Sequence, residues 1–176
     1  MSWIKSAGGP LICVEKDLAP FWLGILGSSV KDGPTTPLFN DYDRACAVSD
    51  YVGMVELPRK YALILGDMPL ETTVWRPSSE SPLIVRVFYM DPGVDLPQLL
   101  AAHGNLSFAD PIESIDCEIE SGHMVIFDSA VPGLHEHASL SFEIPPGNYQ
   151  ILTKVFEPDS RTSVLIHKFE RKGSES

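Results

Sequence analysis

Short runs of apolar residues, many of them alternating with polar ones, recur along the chain between turns rich in Pro, Gly, Asp and Ser. Turns at this spacing, roughly every eight to twelve residues, are typical of all-β sandwiches and barrels. The runs predict strands at residues 11–15, 45–57 with a break near Gly53, 61–65, 83–90, 115–120, 123–128, 140–144, 149–156 and 162–169. We therefore expect a mainly β (β-rich α+β) fold, with antiparallel sheets in a sandwich or barrel-like arrangement.

Two segments predict helix instead. In residues 95–104, Asp95 is a candidate N-cap, Pro97 lies in the first turn and Gly104 follows the last apolar position. These are the start and stop signals of a short α-helix. Residues 17–24 predict a single helical turn, so the fold should carry one or two short helices.

Residues 115–128 give the clearest strand pattern. Apolar residues at 115, 117 and 119 alternate with Asp116, Glu118 and Glu120, the period of two that a half-buried strand requires. The three carboxylates should share one sheet face at about 6.5–7 Å spacing. Ser121 and Gly122 predict a tight turn that makes a hairpin with the next strand. Glu143 is expected on the polar face of strand 140–144.

Charge is distributed unevenly along the chain. Thirteen basic and 24 acidic residues give a net charge of −11, which argues against nucleic acid as a partner because phosphates need a basic face. Residues 87–153 contain ten acidic residues and no lysine or arginine. Basic side chains from elsewhere in the chain can come close to these acidic residues only through folding. These acidic residues form either a solvated surface that keeps the protein soluble or a negatively charged surface whose electrostatic field attracts a basic partner.

Length and composition indicate a soluble protein. With 176 residues, 44% of them hydrophobic, we expect one domain over 1–176, with a possible weak division near 77–82 and a frayed tail at 171–176. No apolar run is long enough to span a bilayer, and no signal peptide is evident. Cys13, Cys46 and Cys117 lie in apolar segments and are expected to be buried, unpaired thiols, as suits a cytoplasmic protein.

Catalytic chemistry has little support in the residue pattern. His135 and His137 with Glu143 faintly resemble the cupin metal pattern, although five residues rather than three or four separate His137 from the glutamate. Surface histidines are the alternative interpretation. No phosphate loop or nucleophile elbow is present. We therefore expect a protein that is not an enzyme and takes no cofactor.

Tryptophans are the remaining candidates for a functional surface. Trp22 and Trp75 lie beside loop signals, and tryptophan is enriched at interface hot spots. Packing in the core is the alternative explanation for Trp3, Trp22 and Trp75.

Four blocks of the sequence resemble the bacterial immunity protein 21 family. They are WIKSAGGPLICV at 3–14, DYDRACAVSDYVG at 41–53, LILGDMPLETTVW at 63–75 and PPGNYQILTKVFEPDSRTSVLIHKF at 145–169. The resemblance keeps the blocks in order over nearly the whole chain. It implies a mostly β protein that protects its own cell by binding and inhibiting a toxin encoded beside it, and it carries no contact residues.

The first hypothesis is therefore an immunity protein that inhibits its toxin by stoichiometric occlusion. Its toxin domain is expected to be basic, and the candidate contacts are Asp116, Glu118, Glu120, Glu143, Trp22 and Trp75. One alternative is a cupin-like metal-dependent enzyme that uses His135, His137 and Glu143. The other is a non-catalytic β adaptor module.

Overall fold

The computed structural model describes residues 1–30, 39–66, 68–77, 81–103, 106–135 and 138–173. In these ranges eleven strands form two antiparallel sheets. The strands are β1 (Trp3–Ile4), β2 (Leu11–Glu15), β3 (Val52–Glu56), β4 (Tyr61–Leu65), β5 (Glu71–Trp75), β6 (Leu83–Met90), β7 (Glu113–Ile119), β8 (His123–Asp128), β9 (Ser139–Glu143), β10 (Gly147–Asp159) and β11 (Thr162–Arg171).

The six-stranded sheet has the order β1-β5-β6-β11-β10-β7, and the five-stranded sheet has the order β3-β4-β2-β8-β9. The two sheets pack face to face around a central apolar cluster to which both contribute, including Leu11, Ile126, Ile151 and Phe169. They do not close into a barrel. The predicted mainly β class is confirmed, and of its two forms the sandwich is the one observed.

Each sheet also buries part of its outer face. Two short 3-10 helices, Ala19–Phe21 and Gly24–Leu26, and α1 (Asp41–Cys46) lie on the five-stranded side, where Trp22, Ala45 and Phe127 share a cluster. On the six-stranded side, α2 (Leu96–Ala102) contributes to a third cluster. Because β2 is covered on both faces, all five of its residues are buried.

The helix predictions near residues 17–24 and 95–104 are confirmed. Asp95 caps α2, since its carboxylate accepts a 3.0 Å hydrogen bond from the Gln98 backbone amide. Gly104, the predicted stop, lies outside the described residues.

Residues 45–57 were predicted to be extended with a break near Gly53; this prediction is wrong for the first part, and β3 continues through Gly53 without a break. Residues 41–46 form α1, because Asn40 and Asp43 make a reciprocal capping box at its N-terminus. Only Val52–Glu56 is extended. Strands β1 and β5, which pair with each other, were not predicted.

The predicted hairpin across Ser121 and Gly122 is also wrong. Strand β7 pairs with β10 in one sheet, whereas β8 pairs with β2 and β9 in the other. The turn therefore carries the chain from sheet to sheet. Glu15 directs it, since its carboxylate accepts hydrogen bonds from the backbone amides of Glu120 and Ser121.

The suggested division near 77–82 falls between β5 and β6, and all five residues of β5 pair with residues 83–87 of β6. Residues 78–80 lie outside the described residues. At the C-terminus, Arg171 ends β11 and the Lys172 amide donates to the Asn148 carbonyl at 2.9 Å. Residues 174–176 of the predicted frayed tail lie outside the described residues.

Candidate functional site

The sandwich is open along one side, where the edge strand β7 of one sheet faces the β3–β4 hairpin of the other. An open cleft of about 1520 Å³ lies there, which we call the seam cleft. Its lining comprises Met54, Arg59, Lys60, Tyr61, Asp116, Cys117, Glu118, Glu120, Gly147, Asn148, Tyr149, Arg171, Lys172 and Gly173.

Buried or half-buried carboxylates tie the two sides of the seam together. At one end, Glu113 of β7 accepts 3.1 Å hydrogen bonds from the backbone amides of Tyr51 and Val52 beside β3. At the other end, Glu15 accepts from the backbone of residues 120 and 121 and from Lys60. Hydrogen bonds therefore join the two sheets at both ends of the seam.

The electrostatics of Glu15 and Lys60 follow from this contact. Burial alone would raise the pKa of Glu15, but hydrogen bonds from Ser121, Glu120 and Lys60 lower it below its ordinary value. Burial alone would lower the pKa of Lys60, but the carboxylates of Glu120 and Glu15 raise it. Both groups are thereby held in their charged forms.

The sequence placed three carboxylates on one face of a single strand, and the structure shows the expected alternation along β7 and at residue 120, directly after its end. Asp116, Glu118 and Glu120 are exposed, while the residues between them point toward the core. The fold supplies the basic partners that residues 87–153 lack. Lys172 lies 2.7 Å from Asp116 and Lys60 lies 3.0 Å from Glu120. Among the described residues, Glu118 forms no ion pair.

Sequence reasoning missed the basic residues of this site. Arg59 and Lys60 come from the β3–β4 turn, and Arg171 and Lys172 from the end of β11. No local pattern connects these segments with β7, because only the sheet order and the packing of the two sheets bring them together. The candidate site is thus a cleft of mixed charge rather than a uniformly acidic strand.

Met54 and Cys117 form an apolar part of the cleft lining, and both are half-buried against the central cluster. Burial, followed by the nearby Glu15 carboxylate, raises the pKa of Cys117 to about 11. Burial raises the pKa of Cys13 well above its ordinary value. Both thiols are therefore protonated at neutral pH and poorly nucleophilic.

The expectation that all three cysteines are buried holds only for Cys13. Cys117 is half-buried because it borders the open seam, and Cys46 is half-buried at the end of α1. Cys13 and Cys117 are free thiols.

The structure separates the two tryptophans that the sequence paired. Trp22 is 0% exposed and its indole donates a 2.7 Å hydrogen bond to the Ser129 carbonyl. The expectation of an exposed contact at Trp22 is therefore wrong, because a segment more than 100 residues away covers the ring. Trp75 is half-buried against the cluster that α2 covers, and Trp3 is 37% exposed.

Glu143 lies on the exposed face of β9, as expected, and its carboxylate is 3.5 Å from His123. Neither residue lines the seam cleft. Glu143 is thus not brought together with the three carboxylates of β7.

The metal-site alternative required residues 135 and 137 on one strand. His135 instead lies in a turn before β9, where its amide donates to the Pro132 carbonyl. His137 lies outside the described residues. Within the described ranges, no group of three or more His, Cys, Asp or Glu residues could hold a metal ion.

Among the described residues, no helix is long and apolar enough to cross a membrane. Comparison with curated proteins and with solved structures gives no match. A family model described as Immunity protein 21 matches residues 2–162, which is most of the chain. The chain therefore belongs to the immunity protein 21 family.

Proposed function

We propose that this protein binds a cognate toxin domain and inhibits it by stoichiometric occlusion. The family match carries this proposal, since an immunity protein acts by neutralising a toxin. We further propose that the protein acts in the cytoplasm of the cell that makes the toxin. The free thiols of Cys13 and Cys117 are compatible with a reducing compartment.

The contact surface proposed here includes the outer face of β7, with Asp116 and Glu118, and Glu120 directly after the strand. These side chains are exposed and line an open cleft. Glu143 and Trp75 are proposed as secondary contacts, because one is exposed and the other half-buried. Trp22 supports the fold from inside and is omitted.

A basic toxin domain is the partner that the overall charge favours. A net charge of −11 attracts a cationic surface over long range and accelerates encounter. Toxins that cleave nucleic acid need such a surface to hold phosphates.

Co-expression with the toxin encoded beside this gene tests the proposal. Cells should survive toxin induction only when this protein is present, and the purified pair should form a complex of defined stoichiometry by light scattering. An unrelated acidic β protein of similar size serves as the control. Survival without complex formation would contradict occlusion, and death with equal expression of both proteins would contradict the immunity function itself.

A further inference from the structure

The seam cleft contains charges that the fold leaves without a partner. Lys60 and Lys172 are each bound by carboxylates of the chain. Among the described residues, Arg59, Arg171 and Glu118 form no ion pair. Two guanidinium groups and one carboxylate are therefore available to an incoming molecule.

Both arginines are held in place by contacts that do not neutralise them. The Arg59 guanidinium lies 5.5 Å from the centre of the Phe21 ring. The Arg171 guanidinium donates a 3.0 Å hydrogen bond to the Pro146 carbonyl. A side chain that is already oriented loses less entropy on binding. Guanidinium groups in such positions are suited to bidentate recognition of carboxylates.

The lining of the cleft also contains apolar surface. Tyr61 is 60% exposed at the start of β4, and Met54 is half-buried on the neighbouring strand β3. Tyrosine, methionine and arginine are the residue types enriched at protein interfaces, and lysine and glutamate are depleted there. Met54, Tyr61 and the two arginines are therefore the part of the lining that suits a protein contact.

The size of the cleft also favours a macromolecule. At about 1520 Å³, it exceeds the roughly 300–1,000 Å³ of ordinary small-molecule pockets. It lies between two sheet edges and is open to solvent. A protein segment can fill such a cleft, whereas a small anion would remain largely hydrated.

We propose that the seam cleft is the docking surface for the toxin, an inference that rests on the proposed function. The occupant is a toxin segment that places carboxylates against Arg59 and Arg171 and a basic side chain against Glu118. One apolar or aromatic side chain of that segment packs on Met54 and Tyr61. Charge complementarity identifies this occupant, because the two arginines are the cations of the cleft that the fold leaves unneutralised.

The first test separates local contact from long-range attraction. The double variant R59E/R171E and the control K5E/K16E each change the net charge by −4, and neither Lys5 nor Lys16 lines the cleft. If the arginines bind carboxylates directly, R59E/R171E should dissociate from the toxin at least about tenfold faster than the parent. The control should dissociate at the parental rate.

A photo-crosslinking amino acid placed at residue 61 gives a second, independent measurement. We expect it to capture the toxin, and we expect the same group at Tyr89 to capture none. Tyr89 is 49% exposed on β6 and lies outside the cleft. This measurement does not depend on the arginine variants folding correctly. Circular dichroism and thermal unfolding check those variants, and R59Q/R171Q repeats the dissociation measurement without reversing the charge.

The outcomes distinguish the two proposals. If the parent binds and protects, but R59E/R171E dissociates like its control and residue 61 captures no toxin, the docking site is wrong and the immunity function stands. If the parent itself neither binds nor protects, the proposed function falls and the docking site falls with it.

Discussion

At the scale of single residues, buried charged groups decide how the molecule responds to pH. Glu15 is the main example in the site, because its carboxylate joins β2 to the turn after β7 and to Lys60. Its pKa is lower in the folded protein than the ordinary value of 4.5. Such a group stabilises the fold above its unfolded-state pKa, and the contribution is lost as pH falls through the folded-state pKa.

Replacing Glu15 with glutamine should remove this contribution. We expect E15Q to lower the free energy of unfolding by about 1.5–3 kcal/mol at pH 7, since it weakens hydrogen bonds to a charged group. The difference from the parent should shrink as pH falls below 4.5. Urea unfolding at several pH values measures this difference, with E71Q, at the exposed first residue of β5, as the control. A difference that does not vary with pH would contradict this role.

His167 is a second buried group with a predictable effect. Burial, assisted by the charge of Arg86, lowers its pKa to about 3, and its Nδ1 lies 2.9 Å from the Thr153 hydroxyl. The unfolded chain therefore takes up a proton that the folded protein refuses between pH 6.5 and 3. The folded protein should therefore lose stability as the pH falls through this window, by roughly 1 kcal/mol per pH unit from this residue.

Nuclear magnetic resonance titration of the imidazole checks the direction of the shift. The His167 resonances should not titrate between pH 8 and 5, because burial lowers the pKa of this imidazole to about 3. The H167Q variant should show a shallower loss of stability with falling pH than the parent. A His167 midpoint near 6.5 would overturn the assignment.

At the scale of elements, two turns contain glycines with positive φ, one between β7 and β8 and one between β6 and α2. Gly122 has φ +77°, and a Cβ atom placed there would lie 2.5 Å from the Ile144 carbonyl oxygen. Gly93 has φ +86° with nothing within 4 Å. At both positions a side chain would strain a backbone that has positive φ. Only at Gly122 would its Cβ atom also clash with a neighbouring atom.

Alanine at each position should separate these two costs. We expect G93A to lose about 1 kcal/mol from backbone conformation alone. We expect G122A to lose at least twice as much, because the Ile144 carbonyl must also move. If urea unfolding shows the same decrease in the free energy of unfolding for both variants, the turn at Gly122 accommodates the Cβ atom without an additional cost.

Elements defined by local pattern were predictable, and their partners were not. Strands β2, β4, β6 and β8 have the predicted bounds, because alternating or continuous apolar runs end at polar turn residues. The six-residue helix α1 was not predicted, because its apolar residues follow a pattern typical of a strand. The capping residues at its N-terminus stabilise the helix instead. The hairpin at Ser121 failed because pairing depends on Glu15, which lies more than 100 residues away.

The same limit applies to the site. The alternation that exposes Asp116 and Glu118 is local and was predicted. The positions of Arg59 and Arg171 depend on how two sheets pack, so no sequence pattern indicated them. The prediction of a contact surface at Trp22 was wrong for the same reason, since Ser129, which binds its indole, lies far from it in sequence.

At the scale of the whole molecule, the net charge of −11 should govern the rate at which a basic partner arrives. Exposed charges are screened over about 8 Å at physiological ionic strength. Association with a basic toxin should therefore be fast at low salt and slow steeply as salt is added. The association rate could depend on the net charge of the whole protein or on the charges of one face.

Glu118 and Asp110 separate these two possibilities. Both are exposed, both lie within residues 87–153, and neither forms an ion pair among the described residues, but only Glu118 lines the seam cleft. E118K and D110K change the net charge equally. If β7 faces the toxin, E118K should slow association about tenfold at low salt and D110K much less, and the difference should narrow at high salt. Stopped-flow measurements of both variants at two salt concentrations test this. Equal slowing would mean that only total charge matters, and an unchanged E118K would remove β7 from the contact surface.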